Sequence, residues 1–283
     1  MRIISWNIHN RASLWEEVAS LDADIALLQE APKPPKSLSS KLNIVSNNDW
    51  YTAKGRKGSF RPWRTTIVAL SDNIDIKGRT TNQIGYSSSN DFMVSRPGTI
   101  TVADVTLKNN KEKFTLVSMY GIWEKADISA SQNWIIADAS VHRLISDISA
   151  LIGTQTGHKI IAAGDLNIIY GYAENGSEYW AKRYDTIFSR MEALGIPFAG
   201  PQYPNGEKAI SPPKELPKNS LNVPTYRSSI NKPESATRQL DYVFASDTIH
   251  NRMKVKALNS IKDWGLSDHC RILIEIISNN YPQ

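Results

Sequence analysis

Residues 3–7 read Ile-Ile-Ser-Trp-Asn, residues 25–30 read Ile-Ala-Leu-Leu-Gln-Glu, and the segment between them carries apolar residues at helical spacing from Leu14 to Leu21. Two short apolar runs around such a segment predict a strand, a helix and a second strand. Strands joined through a helix favour a parallel pair with a right-handed crossover. Because parallel strands end at the same edge of a sheet, we expect Asn7 and Glu30 to lie close together there.

Further apolar runs extend this pattern along the chain. They predict strands near residues 66–70, 99–107, 114–119, 159–163, 240–245, 253–258 and 271–277. Apolar residues on one helical face predict two long helices, over 134–152 and 180–194. Helices interspersed among strands indicate an α/β protein built in layers.

The composition is that of an ordinary folded protein, with 283 residues of which 41% are hydrophobic and 22% are charged. Length alone allows one large domain or two small ones. Since the polar motifs described below run from residue 7 to residue 269, no division leaves an independent half, and we expect a single domain over 1–283. Irregular polar segments at about 50–65 and 197–236 are expected to be loops that contact substrate.

Charge and cysteine content limit the binding partners and the cellular compartment that we expect for this protein. The formal net charge of +5 favours attraction to a polyanion, although a basic surface can also serve solubility alone. The single cysteine, Cys270, excludes a disulfide within the chain and is typical of a reducing compartment. No secretory leader or bilayer-spanning run is recognisable, so we expect a cytoplasmic protein with no membrane partner.

Polar side chains stand where predicted strands end, from the first residues of the chain to the last. They are Asn7, Glu30, Tyr120, Asp165 with Asn167, Asp241, and Asp268 with His269. Each taken alone is explained by a strand end or a turn, because such residues end strands. Together they match the needs of phosphodiester hydrolysis, in which phosphate charge must be neutralised and a water activated for in-line attack.

The residue types suggest a separate role in the reaction for each of these side chains. Glu30 is the main candidate ligand for Mg²⁺, which prefers oxygen and borrows one or two carboxylates from a protein. Asp165 could take the proton of the attacking water while Asn167, on the same side of an extended segment, donates to a phosphate oxygen or orients the acid. Neighbours in a strand point opposite ways, so we prefer Asp241 as the partner of His269 and leave Asp268 for the metal or its water. The other histidines, His9, His142, His158 and His250, are expected to be surface or packing residues.

This ordered set of motifs resembles the endonuclease/exonuclease/phosphatase superfamily, also called deoxyribonuclease I-like, over nearly the whole chain. The resemblance implies a four-layer αββα sandwich of two mixed β-sheets enclosed by helices, and phosphoester cleavage with Mg²⁺ or Mn²⁺. It implies that Glu30 binds the metal with help from Asn7 or Asp268, that Asp165 activates water and Asn167 orients, and that an Asp241–His269 pair faces the scissile phosphate.

The resemblance is nearest to the exonuclease III and abasic endonuclease branch. Tyr120 stands where other branches carry a second histidine, and the run from Ser267 to Cys270 is similar to that branch. The asparagine usual shortly after the tyrosine is missing from residues 120–123, so the resemblance does not imply specificity for abasic sites.

A basic and aromatic stretch indicates the kind of phosphoester. Between Trp50 and Ser71 the chain has five cations, no acid and four interleaved aromatic residues, a combination suited to phosphate backbones and exposed bases. The second irregular segment and its flank add six cations, between Lys208 and Arg238, against three acids, between Glu207 and Glu234. We predict substrate contacts from Lys57, Arg61, Trp63, Arg64 and Arg227. A solvated basic loop with some core aromatics is the other interpretation.

The leading hypothesis is therefore a metal-dependent nuclease, endo- or exonucleolytic, that acts as a monomer on nucleic acid, with DNA as the expected substrate. The alternative is a phosphatase or phosphodiesterase for a small-molecule or lipid phosphate, because function resides in loops grafted on a common core. A non-catalytic binding module is disfavoured, since no expected catalytic position is lost.

Overall fold

The computed structural model describes residues 1–45, 51–54, 60–85, 91–123, 137–152, 157–172 and 177–277, with the backbone alone for 51–54, 60 and 61. The strands in these residues are β1 Arg2–Asn7, β2 Ile25–Ala31, β3 Asn43–Val45, β4 Tyr51–Lys54, β5 Phe60–Ala69, β6 Ile74–Gly78, β7 Thr81–Gln83, β8 Phe92–Val94, β9 Ile100–Leu107, β10 Lys113–Tyr120, β11 Ile160–Asp165, β12 Phe198–Gly200, β13 Asp241–Ala245, β14 Met253–Leu258 and β15 Arg271–Ile276. The helices are α1 Leu14–Ala19, α2 Lys36–Ser39, α3 Ala137–Ile152, α4 Glu178–Ala193 and α5 Asp247–His250.

Two mixed sheets carry most of these strands. The first has the order β14-β15-β1-β2-β5-β3, with β4 also paired to β5, and the second has the order β12-β13-β11-β10-β9-β6. Within them β1 pairs with β2 and β10 pairs with β11 in parallel, as predicted for the first pair, whereas their other neighbours are antiparallel. Strands β7 and β8 form a small separate parallel pair.

Alternate side chains of each strand enter different apolar layers, because successive residues of a strand face opposite sides of the sheet. Ile3 of β1 joins a cluster shared by the two sheets, with Ile161 of β11 on the opposite side. Ile4 joins a second cluster with residues of α1, and a third cluster packs α3 and α4 on the outer face of the second sheet. The strands read as uninterrupted apolar runs because both of their faces are covered. The predicted αββα sandwich is confirmed.

Element boundaries differ modestly from the prediction. The first helix ends at Ala19, before Leu21, and α4 begins at Glu178. Of the helix predicted over 134–152, residues 137–152 are helical and 134–136 lie outside the described residues. Sequence patterns missed β3, β4, β6, β7, β8 and β12, which have three to five residues each and are too short to show a period of their own. The expectation of an irregular loop over about 50–65 was wrong for residues 51–54 and 60–65, which lie in the paired strands β4 and β5. In the parts of the chain that the structure covers, no helix is both long and apolar enough for a bilayer.

The strand register brings the polar motifs together. Tyr120 is the parallel partner of Asp165, and Asp165 is the antiparallel partner of Asp241, so three motifs lie side by side on β10, β11 and β13. The other sheet brings the end of β1 beside the end of β2. Buried Gln29 of β2 donates to Ser118 Oγ of β10 at 3.1 Å, which joins the two sheets just below this edge. The sandwich therefore collects distant parts of the chain at one edge.

Candidate active site

Glu30 lies at an irregularity in the pairing of β2 with β5. Leu28 is opposite Thr66 and Ala31 is opposite Arg64, so the β2 side holds one extra residue. Glu30 has φ 47°, a left-handed conformation that costs about 1–3 kcal/mol for a residue other than glycine. Bulges of this kind re-aim a side chain and are frequent beside active sites. Here the bulge turns the Glu30 carboxylate toward β10.

Tyr120 and Asn7 hold one oxygen of Glu30. The Tyr120 hydroxyl donates to Glu30 Oε1 at 2.7 Å, and Asn7 Nδ2 donates to the same oxygen at 3.4 Å. Burial, followed by the charges of Glu30 and Asp165, raises the pKa of Tyr120 well above its usual value. The phenol therefore stays protonated and acts as a donor. In the described part of the chain Glu30 Oε2 accepts no hydrogen bond, and no cation pairs with the carboxylate.

Asp165 ends β11 with donors around it. Its Oδ2 accepts from Asn7 Nδ2 at 3.0 Å and from Asn167 Nδ2 at 3.3 Å, and its Oδ1 accepts from the Asn167 backbone at 2.9 Å. The strand ends at Asp165 and Asn167 has φ 54°, so the expectation of an extended segment from 165 to 167 was wrong. A turn is formed instead, since asparagine tolerates this conformation and Asp165 bonds the backbone two residues on. The turn still brings both side chains together.

Gly164 is required for the position of Asp165. A Cβ at this residue would lie 1.8 Å from the Met119 carbonyl oxygen of the neighbouring strand. That backbone cannot move away without breaking the β10–β11 ladder, so only glycine fits. The Gly-Asp-Leu-Asn motif is thus both a structural turn and a means of aiming the acid.

His269 lies between two carboxylates. Its Nδ1 is 2.8 Å from Asp241 Oδ2 and its Nε2 is 3.6 Å from Asp165 Oδ2, and all three side chains are buried. Burial would lower the pKa of His269, but the charges of Asp241 and then Asp165 outweigh it and raise the pKa to about 10. Burial raises the pKa of Asp165 to about 8, with His269 opposing and Asp241 adding to the shift. His269 is therefore an imidazolium at neutral pH, held by Asp241 as the sequence predicted.

Residues 225 and 226 support this pair and were not singled out from the sequence. Thr225 Oγ1 accepts from the backbone N–H groups of Leu240 and Asp241 at 2.9 and 3.1 Å, which fixes the start of β13. The Tyr226 ring packs against His269 with centroids 5.0 Å apart. Their only sequence signal is that an aromatic residue, Tyr226, lies within a polar, proline-rich loop. The pairing of this loop beside the start of β13 places Tyr226 in the wall of the site.

His9 is a correction to the sequence interpretation. It was expected to be a surface or packing residue, yet its Nδ1 is 2.9 Å from Asp268 Oδ2. Burial would raise the pKa of Asp268, but the bond from His9 and the charges of His269 and His9 outweigh it and lower the pKa. His9 follows Asn7 by two residues in the loop after β1. That spacing is the sequence feature from which its place at the site could have been predicted. The carboxylate of Asp268 is therefore oriented from the β1 loop.

A profile of the Endonuclease/Exonuclease/phosphatase family matches residues 4–269, the span that contains this cluster. The chain belongs to the endonuclease/exonuclease/phosphatase family. Its members are phosphoesterases that depend on a divalent metal, so the chain is a phosphoesterase and the family predicted from the motifs is confirmed.

Solved structures share the family fold at low sequence identity. The catalytic domain of APE2 from Xenopus laevis is 15% identical with a TM-score of 0.60, covering 99% of this chain and 94% of that one. The 3′-5′ exonuclease NExo from Neisseria meningitidis is 14% identical with a TM-score of 0.57, over 98% and 99% of the two chains. The AP endonuclease from Leishmania major is 13% identical with a TM-score of 0.57, over 98% and 87%. Among curated protein sequences none is a significant match.

The metal dependence of the family can be tested against the donor set of this chain. Glu30 offers an oxygen with no hydrogen bond in a half-buried carboxylate that lacks a cationic partner among the described residues, as expected for a magnesium ligand. Asp165, Asp241 and His269 also place ligand atoms within 4.8 Å of one another. An ion there would compete with the His269–Asp241 hydrogen bond and would include nitrogen, which suits magnesium less well. The Glu30 side of the site fits the metal better.

Replacement of Glu30 by Gln is therefore expected to weaken Mn²⁺ binding by about tenfold or more, since loss of supporting groups alone costs metal sites 10- to 100-fold. Mn²⁺ serves as the probe and can be followed by electron paramagnetic resonance without any turnover. Glu16→Gln, on the exposed side of α1, is the matched control. Retained binding in Glu30→Gln together with loss in Asp241→Asn would place the ion at His269 instead.

The predicted substrate residues are placed unequally. Arg64 is half-buried beside Ala31, one residue from Glu30. The Trp63 ring is 4% exposed and packs edge-on against Tyr120 at 4.7 Å, so it offers little face to a base. Arg227 donates to the carbonyls of Asn231 and Ser267, which braces its loop. Lys57 lies outside the described residues and Arg61 is described in its backbone alone, so contacts of all five residues with substrate stay predictions.

Proposed function

We propose that this phosphoesterase hydrolyses phosphodiester bonds in nucleic acid with a bound Mg²⁺ or Mn²⁺. The single observation that carries the proposal is the position of Asp165, which shares Asn7 with Glu30 and lies 3.6 Å from the imidazole of His269. An acid placed between a metal ligand and a cationic donor is what attack on an anionic ester requires. We further propose DNA as the substrate and a monomer in the cytoplasm as the working form.

Each residue has a proposed part in the reaction. In its ionised form, which a metal cation bound nearby would favour over the neutral acid, Asp165 takes the proton of the attacking water, and Asn167 keeps its carboxylate oriented. The His269 imidazolium, held by Asp241, donates to a phosphate oxygen where negative charge accumulates. Tyr120 fixes the Glu30 carboxylate, which would hold the metal with Asn7 and Asp268 nearby. The metal, when bound, supplies charge neutralisation at the phosphate.

A polymeric substrate is supported by the charge distribution. The chain has a net charge of +5, Arg64 stands beside Glu30, and exposed Arg238 lies three residues before Asp241. Two solved structures of similar fold are described as a telomere-specific retrotransposon endonuclease and as a 3′ phosphatase bound to product DNA hairpin. Binding of a small phosphate ester requires fewer cationic side chains than binding of a strand with many phosphates.

Salt dependence separates the proposal from the alternative of a small or lipid phosphate. On a panel of single- and double-stranded DNA, RNA, bis(p-nitrophenyl) phosphate and a phosphoinositide, we expect cleavage of a nucleic acid. Its binding should weaken about tenfold or more between roughly 50 and 200 mM salt, since two or more phosphate contacts give a logarithmic slope near −1.8 on duplex. Turnover of the phosphoinositide alone, with little response to salt, would refute the proposal.

A further inference from the structure

A small aromatic cavity lies beside the catalytic cluster and takes no part in the chemistry above. It has a volume of about 220 Å³ and lies between the turn after the Asp165 motif and the first half of α4. Its walls are Gly171, Tyr172, Ala181, Lys182, Tyr184 and Asp185. Pockets for drug-sized ligands measure about 300–1,000 Å³, so this cavity has room for one planar ring system.

The rings around the cavity are held in place before any ligand arrives. Tyr172 and Tyr184 meet edge to face with centroids 5.7 Å apart, and the Trp180 ring centroid also lies 5.7 Å from that of Tyr184. The Arg183 guanidinium sits 5.0 Å over the Trp180 ring, and its Nε donates to buried Asp138 Oδ2 of α3 at 2.6 Å. The helix α4 therefore presents a fixed aromatic wall.

The cavity is tied to the active site through the backbone. Tyr172 follows Asn167 by five residues (172 − 167), a span of at most about 17 Å in a fully extended chain. The intervening turn is pinned because the Tyr170 backbone N–H donates to the Tyr242 hydroxyl at 2.9 Å and its carbonyl accepts from Asn222 Nδ2 at 2.7 Å. These two hydrogen bonds hold the backbone that leads from the Asp165 motif to the wall of the cavity.

Exposed Arg238 pairs through its backbone with Tyr226, which also pairs with His269, so it lies beside the catalytic cluster, and its charge reaches Tyr184 in the cavity wall. Its positive charge acts to lower the pKa both of Tyr184, in the wall of the cavity, and of Tyr226, which packs on His269. Burial nonetheless raises the pKa of Tyr184 to about 12, so its hydroxyl stays protonated. A cation on the path from the catalytic cluster to an aromatic cavity matches the alternation of phosphate and base along a nucleic-acid strand.

We propose that this cavity is a subsite for one unpaired base of the nucleic-acid strand that is being cleaved, with Arg238 contacting a phosphate between that base and the scissile bond. The inference rests on the proposed function and extends it to a substrate with a single-stranded or displaced nucleotide next to the cleavage position. Stacking of the base on one of the two perpendicular rings, Tyr172 or Tyr184, with the other ring against its edge, supplies sequence-tolerant binding, because every base has an aromatic face. Lys182 and Asp185 at the rim offer a donor and an acceptor to the edge of the base.

The test measures binding without cleavage, by fluorescence anisotropy in EDTA with labelled DNA. The two probes are a duplex with a single-stranded overhang and a blunt duplex of the same length. Tyr172→Ala is expected to weaken binding to the overhang probe by about 5- to 100-fold, as for loss of one stacked base, and to change blunt-duplex binding less than about twofold. Ala181→Leu, which fills the cavity and keeps the tyrosines, should have the same selective effect. Arg238→Ala should weaken both probes.

Ile277→Ala is the control, because Ile277 is 52% exposed just after β15, at the end of that strand remote from His269, and lies outside the cavity. Equal losses on both probes, or no loss, in Tyr172→Ala and Ala181→Leu would overturn the subsite while leaving the nuclease proposal intact; the tyrosines would then serve only the packing of α4. Failure of the wild-type protein to bind either probe, with turnover of a small phosphoester retained, would overturn the proposed function and this inference together.

Discussion

Asp165→Asn is expected to lower the rate of phosphodiester cleavage by at least about a hundredfold, because an amide cannot take the proton of the attacking water. The loss should fall on the rate constant of the chemical step, measured in single-turnover assays with saturating metal, since the proposed contribution of Asp165 is made in the transition state. Asp72→Asn, an exposed acid on the loop after β5, should retain the wild-type rate.

The same variant should fold at least as well as the wild type. Burial raises the pKa of Asp165 to about 8, with the charge of His269 opposing the shift and the charges of Asp241 and Glu30 adding to it. Removing the charge relieves a cost that the site bears for function, so the thermal midpoint should stay level or rise. An unchanged rate in Asp165→Asn would refute the assignment of Asp165 as the base.

Asp241→Asn is expected to lower the rate by a similar or larger factor, about 10²–10⁴, for a different reason. Asp241 holds His269 at 2.8 Å and raises its pKa, so the variant loses both the orientation and the charge of the imidazolium. Its stability should move in the direction opposite to that of Asp165→Asn. Removal of one partner of a buried pair costs roughly 3–5 kcal/mol, because the other partner stays buried without compensation.

Chemical denaturation of the two variants side by side provides the measurement. A large drop in the unfolding midpoint for Asp241→Asn, with none for Asp165→Asn, is the expected pattern, and Asp72→Asn again serves as the control. Equal stability of both variants, with the rate of Asp241→Asn close to wild type, would show that the pair does not act on the phosphate.

Much of the fold followed from periodicity. The runs at 3–7 and 25–30 predicted a parallel pair, and β1 and β2 form it. Short edge strands such as β3 and β12 escaped, since three residues cannot display a period of two. A turn at Gly-Asp-Leu-Asn was one of the two interpretations of the sequence, but the left-handed backbone of Asn167 was not predicted, because it is set by the donors and acceptors around Asp165 as much as by the residue itself.

The candidate site likewise has features that the sequence predicted and features that it did not. Glu30, Asp165 and His269 were recognisable because each polar side chain ends an apolar run. His9 was misread because its partner, Asp268, is distant in sequence and no local pattern records the pairing. The packing of the Trp63 ring on Tyr120 was not predicted, since burial of an aromatic residue depends on neighbours that only the assembled sheets supply, and its contact with substrate stays a prediction.

The sequence by itself determined the family, the layered architecture and the types of side chain at the catalytic edge, because these depend on local period and on chemistry carried by single residues. Only the tertiary structure decided which donor meets which acceptor: the bulge that aims Glu30, the register that sets Asp165 opposite Asp241, and the cavity between Tyr172 and Tyr184. Those relations join residues far apart in the chain, and they are fixed by the pairing of strands and the packing of two sheets.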